Sequence, residues 1–324
     1  MKAFITGGTG FIGSHLINYL MNHKDINIYA LVRDLNNLKW LKGLNIHFLK
    51  GDIFSIPSLP EDIDYVFHIA GSTKSNKSAD YYTVNQQGTA SLFQSFDSQK
   101  IYPKKIICLS SLAAVGPSSE GRPIKENDLP HPVTPYGKSK LLGETEALKF
   151  IDKFSIVILR VGPVFGPRDE DFLSFFRFIK KGILPRMGSK QRLYSLCYVK
   201  DLIKVMDLCT KKDLKSGEII NIANPKPYSW DELGKAAGQA MGKTLKRVNF
   251  PLPIVYLIAL ISELGSKITK KPSALNRHKY KEMKKRFWIA DVKKAQEKLS
   301  FYPQFTLQEA IQETTDWYFK HGWL

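Results

Sequence analysis

The chain has 324 residues, 43% of them hydrophobic and 24% charged, enough for one large α/β domain with an attached lobe, or for two domains. Its formal charge of +18 calls for a solvated lysine-rich surface first and an anionic ligand second. A membrane surface is a further candidate, and nucleic acid is excluded because no binding motif or stacking platform accompanies the lysines. Three cysteines, Cys108, Cys197 and Cys209, lack C-x-x-C or metal spacing and read as reduced cytosolic thiols. No His/Cys/carboxylate cluster argues for a metal. The longest apolar run, 251–264, is shorter than the roughly 20 residues a bilayer span needs, which leaves helix packing or peripheral membrane contact. With a strand pattern already at residue 2, no secretory leader is expected, and a cytoplasmic location follows.

In chain order, 2–6 is an apolar strand. It enters Gly7-Gly8-Thr9-Gly10-Phe11-Ile12-Gly13, and a helical pattern runs over 11–21. Strand, glycine turn, helix is the context of a dinucleotide fingerprint. Gly7 lets the chain turn sharply. Gly10 lets backbone approach a pyrophosphate, and Gly13 lets the helix pack closely on the strand. The helix N-terminus offers N–H groups and a partial positive charge to phosphate. Strands follow at 27–32, 46–50 and 65–69, then a long helix at 81–96, a strand at 105–109, a helix at 135–150 and a strand at 155–160. This alternation predicts a Rossmann-type, doubly wound parallel sheet. Right-handed crossovers bring Gly7, Arg33, Asp52, Ala70 and Ser111 to one edge.

Beyond Gly162, a loop at 163–168 precedes helices at 172–181 and 198–209 and a late strand at 218–222. Further helices fall at 230–241, 253–268, 276–285 and 306–320. Residues 1–165, with 193–222 returning to them, make the nucleotide-binding domain. Residues 166–192 and 223–324 make a smaller, mostly helical substrate lobe. Lysine-dense stretches occur at 267–271 and 279–286.

Thr134-Pro135-Tyr136-Gly137-Lys138-Ser139-Lys140 opens a helix, with Thr134 as N-cap and Pro135 in the first turn. Tyr136 and Lys140, at i and i+4, share a face. An ammonium near a phenol lowers its pKa and suits it to acid/base work. By itself the pair is more often plain surface. The glycine turn upstream and the strand ending in Ser110-Ser111 give it meaning.

Taken together, these residues resemble an extended short-chain dehydrogenase/reductase, the family that includes NAD(P)-dependent nucleotide-sugar epimerases and dehydratases. Its other carriers are Gly51-Asp52-Ile53, His68-Ile69-Ala70-Gly71, Asn85-Gln86-Gln87-Gly88-Thr89, Arg160-Val161-Gly162-Pro163, Gly166-Pro167-Arg168-Asp169 and Tyr198-Val199-Lys200-Asp201. The resemblance implies that Tyr136 is the acid/base, that Ser111 holds the same substrate oxygen, and that Lys140 binds the nicotinamide ribose and tunes Tyr136. It implies cofactor contacts at Gly7, Thr9, Gly10, Phe11, Ile12 and Gly13, adenine contacts at Asp52 and Ile53, and a phosphate–ribose path along Ala70 and Gly71. Pro163 and Val164 would meet the nicotinamide, and Asn85 would be a support residue. Late arginines of relatives on substrate phosphates nominate Arg168 and Arg192. Val115 before Gly116, and the single proline after Gly162, depart from the common family pattern on the substrate side.

Arg33, at the end of the second strand, suits the 2′-phosphate of NADP(H). Asp34 one position later keeps NAD(H) open. His15 and His68 read as packed or surface histidines, and His131 as a loop residue. Two substrate readings stand: a nucleotide-sugar epimerase or dehydratase, and a net ketone reductase or alcohol dehydrogenase. A non-catalytic NADPH-binding protein is the alternative from another class. The resemblance also implies a homodimer built on the helices around residues 81–96 and 135–150, with Leu92, Phe93, Leu141 and Leu148 as apolar contacts.

Overall fold

Strand–helix alternation folds as the periodicity predicts, in a computed structural model that describes residues 1–23, 25–269 and 275–324, without the side chains of 267–269. The lysine run at 267–271 therefore lies outside the described side chains. β1 (Lys2–Thr6) turns into α1 (Phe11–Met21), and β2 (Asn27–Val32), β3 (His47–Lys50) and β4 (Tyr65–His68) follow. The long helix expected at 81–96 is interrupted: α2 (Ser78–Tyr82) passes through a π-turn (Thr83–Gln87) into α3 (Gly88–Ser98). Next come β5 (Lys105–Ser111), α4 (Pro135–Leu148), β6 (Ile156–Val161) and the short β7 (Val164–Phe165).

The rest of the chain contains α5 (Leu173–Lys180), β8 (Ile183–Met187), β9 (Leu193–Tyr194), β10 (Cys197–Tyr198), α6 (Val199–Lys211) and β11 (Glu218–Ile222). β12 (Tyr228–Ser229), α7 (Trp230–Ala240), β13 (Lys246–Phe250), α8 (Leu252–Thr269) and α9 (Arg277–Lys284) come next. β14 (Phe287–Trp288), α10 (Lys293–Leu299) and α11 (Leu307–Lys320) close the chain.

Among the described residues, seven strands form one sheet in the order β3-β2-β1-β4-β5-β6-β11, every pair parallel. The order reverses between β1 and β4, which opens a crevice at their C-terminal ends. Both faces are covered, so the strands are nearly continuous apolar runs. Ala3 and Ile5 of β1 pack in one core with Leu16 and Ile17 of α1, while Phe4 turns to the opposite core with Leu92, Phe93 and Phe96 of α3. Leu92 and Phe93 are fully buried there, and Leu148 packs against the same cluster. Three of the four residues nominated for a dimer contact are thus engaged inside their own chain.

The later lobe carries more strand than its helical periodicity suggested. β8 pairs with β13, and β12, β9 and β14 form a small sheet. These strands are two to five residues long. Each finds its backbone partners far away in sequence, so no local pattern announces it. The short helix α10 was likewise not anticipated.

Candidate active site

The crevice starts at the glycine turn. Gly7 has φ +75°, and a Cβ there would lie 2.7 Å from the Ala70 nitrogen. That is a left-handed, crowded position only glycine occupies without strain. At Gly13 a Cβ would lie 2.2 Å from the Gly7 carbonyl oxygen, so α1 rests directly on the turn. Gly10 is the N-cap of α1, and no side chain caps that helix. The first-turn N–H groups and the positive end of the helix dipole therefore point at the crevice, where a dinucleotide pyrophosphate fits.

Behind the turn runs a buried hydrogen-bond chain. The Ala70 N–H donates to Thr6 Oγ1 (3.2 Å), and Thr6 Oγ1 meets His68 Nδ1 (2.9 Å). His68 Nε2 meets Thr89 Oγ1 (3.0 Å), which donates to the Asn85 carbonyl (2.8 Å). With both hydroxyls so committed, the imidazole is neutral and carries its proton on Nε2. Burial lowers its pKa to about 3, which keeps it neutral. His68 is thus a packed histidine that fixes the loop after β4 relative to the π-turn.

Asn85 sits in that π-turn. Its amide donates to the Ser72 carbonyl (3.0 Å) and Ser139 Oγ (2.9 Å), and its Oδ1 accepts from the Ser72 N–H (2.8 Å). A Cβ on Gly71 would lie 3.1 Å from that Oδ1 and 3.8 Å from Lys140 Nζ. Ala70 and Gly71 are thereby held at the crevice floor.

On α4, Thr134 caps the helix by accepting from the Gly137 N–H (3.2 Å), and Pro135 occupies the first turn. Lys140 Nζ donates to the Leu109 carbonyl of β5 (2.6 Å). Ser111 Oγ accepts from the Ala113 N–H (3.1 Å), and the Ser111 side chain lowers the pKa of the Tyr136 phenol. One turn further along, Glu144 anchors the helix. It takes a bidentate, fully buried ion pair from Arg160 of β6 (2.7 Å at its shortest) and a hydrogen bond from Ser110.

The lowered Tyr136 pKa expected from Lys140 is not found. Burial pushes the phenol up to about 12, and the Ser111 side chain works against that shift. The charges acting on it come from the later chain: Glu282 and Asp171 raise it and Lys279 lowers it. The physical reason is burial of the phenol; Lys140 Nζ donates to a β5 carbonyl, and the charges that act on Tyr136 are those of the lobe. Lys279 pairs with Glu282 (3.4 Å), and Glu282 accepts from Thr134 Oγ1 (2.9 Å). Lys74 pairs with Asp171. Tyr81 lies edge-on to Tyr136, ring centres 6.0 Å apart. Sequence reasoning missed these residues. The only signal was the 279–286 charge run, which read as solvated surface.

The other nominated residues fall as follows. Arg33 follows β2, is exposed, and makes no hydrogen bond or ion pair among the described residues. Asp34 accepts from the Asn36 N–H (2.9 Å). Asp52 closes a turn after β3 by accepting from the Phe54 and Ser55 N–H groups. Ile53 is buried against Gly88. Pro163 and Val164 lie just past β6, where the Pro163 carbonyl accepts from the Cys197 N–H (3.0 Å). Arg168 donates to Ser14 Oγ (3.0 Å) and lies over the Trp40 ring at 5.0 Å. Arg192 donates to the carbonyls of Met187, Lys190 and Met283. His15 meets the Pro167 carbonyl (2.8 Å) and His131 the Pro117 carbonyl (2.9 Å). A cavity of about 190 Å³ between Val115 and His131 includes none of Ser111, Tyr136 and Lys140. All three cysteines are buried and free. Among the described residues no group of three or more His, Cys, Asp or Glu could hold a metal, and no helix is long and apolar enough to cross a membrane.

A family model described as the NAD dependent epimerase/dehydratase family matches residues 3–223. The chain belongs to this family. It is therefore an enzyme of the extended short-chain dehydrogenase/reductase type, with the fold and NAD(P)-dependent oxidoreductase chemistry at a hydroxyl or carbonyl carbon that define the family. The ceramide reductase of Caulobacter vibrioides is 25% identical over 325 residues, which cover 99% of this chain and 95% of that protein. The dTDP-D-glucose 4,6-dehydratase of Dictyostelium discoideum is 30% identical over 69% of this chain and 57% of its own length. A UDP-glucuronic acid 4-epimerase of Bacillus cereus, solved with UDP-glucuronic acid and NAD, shares the fold with a TM-score of 0.78 at 24% identity. That match covers 99% of this chain and all of the other.

Proposed function

We propose that this enzyme is an NADP(H)-dependent reductase or dehydrogenase that interconverts a ketone and a secondary alcohol on a largely apolar, lipid-like substrate. Residues 1–165 and 193–222 hold the cofactor, and 166–192 with 223–324 close over the substrate. The observation that carries the chemistry is the buried Tyr136 phenol, one helical turn from Lys140 on α4, with the Ser111 side chain at the end of β5 acting on it. A nicotinamide dinucleotide bound at the glycine turn supplies or accepts the hydride at the substrate carbon. Tyr136 gives its phenolic proton to the carbonyl oxygen on reduction and takes it back on oxidation. Ser111 donates to the same oxygen. Lys140, fixed to Leu109, would hold the nicotinamide ribose. A phenol whose pKa is raised to about 12 is protonated at neutral pH, the state needed to protonate a carbonyl.

Three observations support an apolar substrate. Lys279, which acts on Tyr136, is paired with Glu282, and Lys74 is paired with Asp171. Arg192 is taken up by backbone carbonyls of the lobe and Arg168 by Ser14 and Trp40. A relative aligned over 99% of this chain is named a ceramide reductase. Arg33, unpaired at the tip of β2, supports NADP(H), because Asp34 is committed to its own turn.

The test is stoichiometric NADPH oxidation with a long-chain ketone. Tyr136→Phe is expected to lower turnover by roughly a hundredfold to ten-thousandfold while NADPH binding, read by cofactor fluorescence, is retained. Full turnover in that variant overturns the mechanism. Conversion of a nucleotide sugar with no added cofactor overturns the substrate reading, and tight NADPH binding without turnover on any carbonyl makes the protein a non-catalytic binder.

A further inference from the structure

The helix α8 is apolar on its outer side. Val255, Ala259 and Ser266 face inward and are buried. Ile254, Leu257, Ile258, Ile261 and Leu264 fall at i, i+3, i+4, i+7 and i+10, one stripe on the opposite face. Each of the five is between 44% and 61% exposed. A helix serving only its own core would turn such a stripe inward and place charge outside. Here no charged residue occurs between Leu252 and Ser262, and Glu263 is neutralised by Arg277 (2.8 Å).

The next helix supplies the charge. α9 packs alongside α8 through the Tyr256 and Tyr280 rings, centres 5.2 Å apart. Arg277, Lys281 and Lys284 recur along its exposed side at i, i+4 and i+7, and Lys285 and Arg286 follow, also exposed. An exposed apolar stripe flanked by a cationic stripe matches one kind of surface: a hydrocarbon boundary under anionic headgroups.

From this juxtaposition we infer that the α8–α9 pair is a docking face for an anionic phospholipid membrane. The α8 stripe enters the headgroup–acyl boundary, and Lys281 and Lys284 of α9, with Lys285 after it, sit over lipid phosphates. The same α9 carries Lys279 and Glu282 on its other side, against Tyr136 and Thr134. Docking therefore sets the substrate side of the cleft against the bilayer. The inference stands without the substrate reading, because docking is measured with no turnover.

The experiment is vesicle flotation of the full chain with phosphatidylcholine alone and with phosphatidylcholine mixed with phosphatidylglycerol. Binding is expected with the anionic vesicles, falling as salt rises. Leu257→Ser with Ile261→Ser should weaken it by roughly a hundredfold or more. Lys281→Gln and Lys284→Gln should each weaken it by about fivefold. All four positions lie on the surface, so an unchanged melting temperature confirms that the variants are folded. NADPH binding, unchanged in them, separates failure of docking from failure of the nucleotide site. Absence of binding to anionic vesicles, or binding indifferent to the α8 substitutions, overturns the inference. So does a lipid-free dimer that Leu257→Ser with Ile261→Ser converts to monomer, since a second copy would then be what covers the stripe.

Discussion

Arg33 and Asp34 are neighbours at the end of β2 with opposite charge and different commitments. Asp34 turns back to its own backbone, which leaves the Arg33 guanidinium as the open charge at the end of β2. Arg33→Ala is expected to weaken NADPH by about thirtyfold, the loss of one charge-assisted contact, and to leave NADH unchanged; titration of both dinucleotides against both proteins checks it. Asp169 offers a second residue-scale test. Burial raises its carboxyl to about 7, while its oxygens accept from the Asp171 and Phe172 N–H groups. Between about 4 and 7 the native state holds a proton there that the unfolded chain has lost, so this residue makes stability fall as pH rises. His68, lowered to about 3, acts oppositely: below about 6.5 the unfolded chain gains a proton the native state refuses, and stability falls as pH drops. The two slopes oppose each other in the native protein. Asp169→Asn removes one, so urea unfolding should find the variant gaining on the wild type by up to about 1.4 kcal/mol per pH unit as pH rises from 4 to 7, then levelling off.

At the scale of elements, the active site depends on where α4 rests. Thr134 sets its start, and the Glu144–Arg160 pair fixes its middle on β6. That pair is fully buried, so removing one partner strands a charge. Arg160→Met is expected to destabilise the protein by about 3–5 kcal/mol. The double change with Glu144→Leu should recover most of that, since a well-packed apolar pair replaces the ions. Denaturant midpoints of the three proteins check it. The π-turn between α2 and α3 is a comparable device. Its extra residue disturbs the helical register where Asn85 must reach both Ser72 and Ser139.

On the scale of the whole molecule, the Rossmann half and the lobe meet across Tyr136. Glu282 on α9 accepts from Thr134, the N-cap of α4. On the proposed function, Glu282→Ala is expected to raise KM for the carbonyl substrate by roughly tenfold, because Glu282 acts on Tyr136 and holds the N-cap of its helix. Steady-state kinetics with cofactor titration tests this. The net charge of +18 takes on a meaning at this scale that composition alone withheld. Part of it lies along α9, beside an apolar stripe.

Local sequence determined the strands, the helices, the glycine turn and the Tyr136–Lys140 pair, because periodicity, glycine conformation and i,i+4 spacing act over a few residues. It was enough to place Gly7, Ala70, Ser111 and Tyr136 at one sheet edge, since parallel topology leaves little choice. The pKa of Tyr136 was not legible there: the spacing to Lys140 is local, but burial is decided by the folded chain and the Lys279–Glu282 pair lies over a hundred residues away. The small lobe strands were hidden for the same reason, as each exists only through a distant partner. The run at 251–264 is the sharpest case. Its apolarity could be read from the chain, but which side of the helix is buried could not. That was decided by packing, which turned Val255 and Ala259 inward and left Leu257 and Ile261 on the surface.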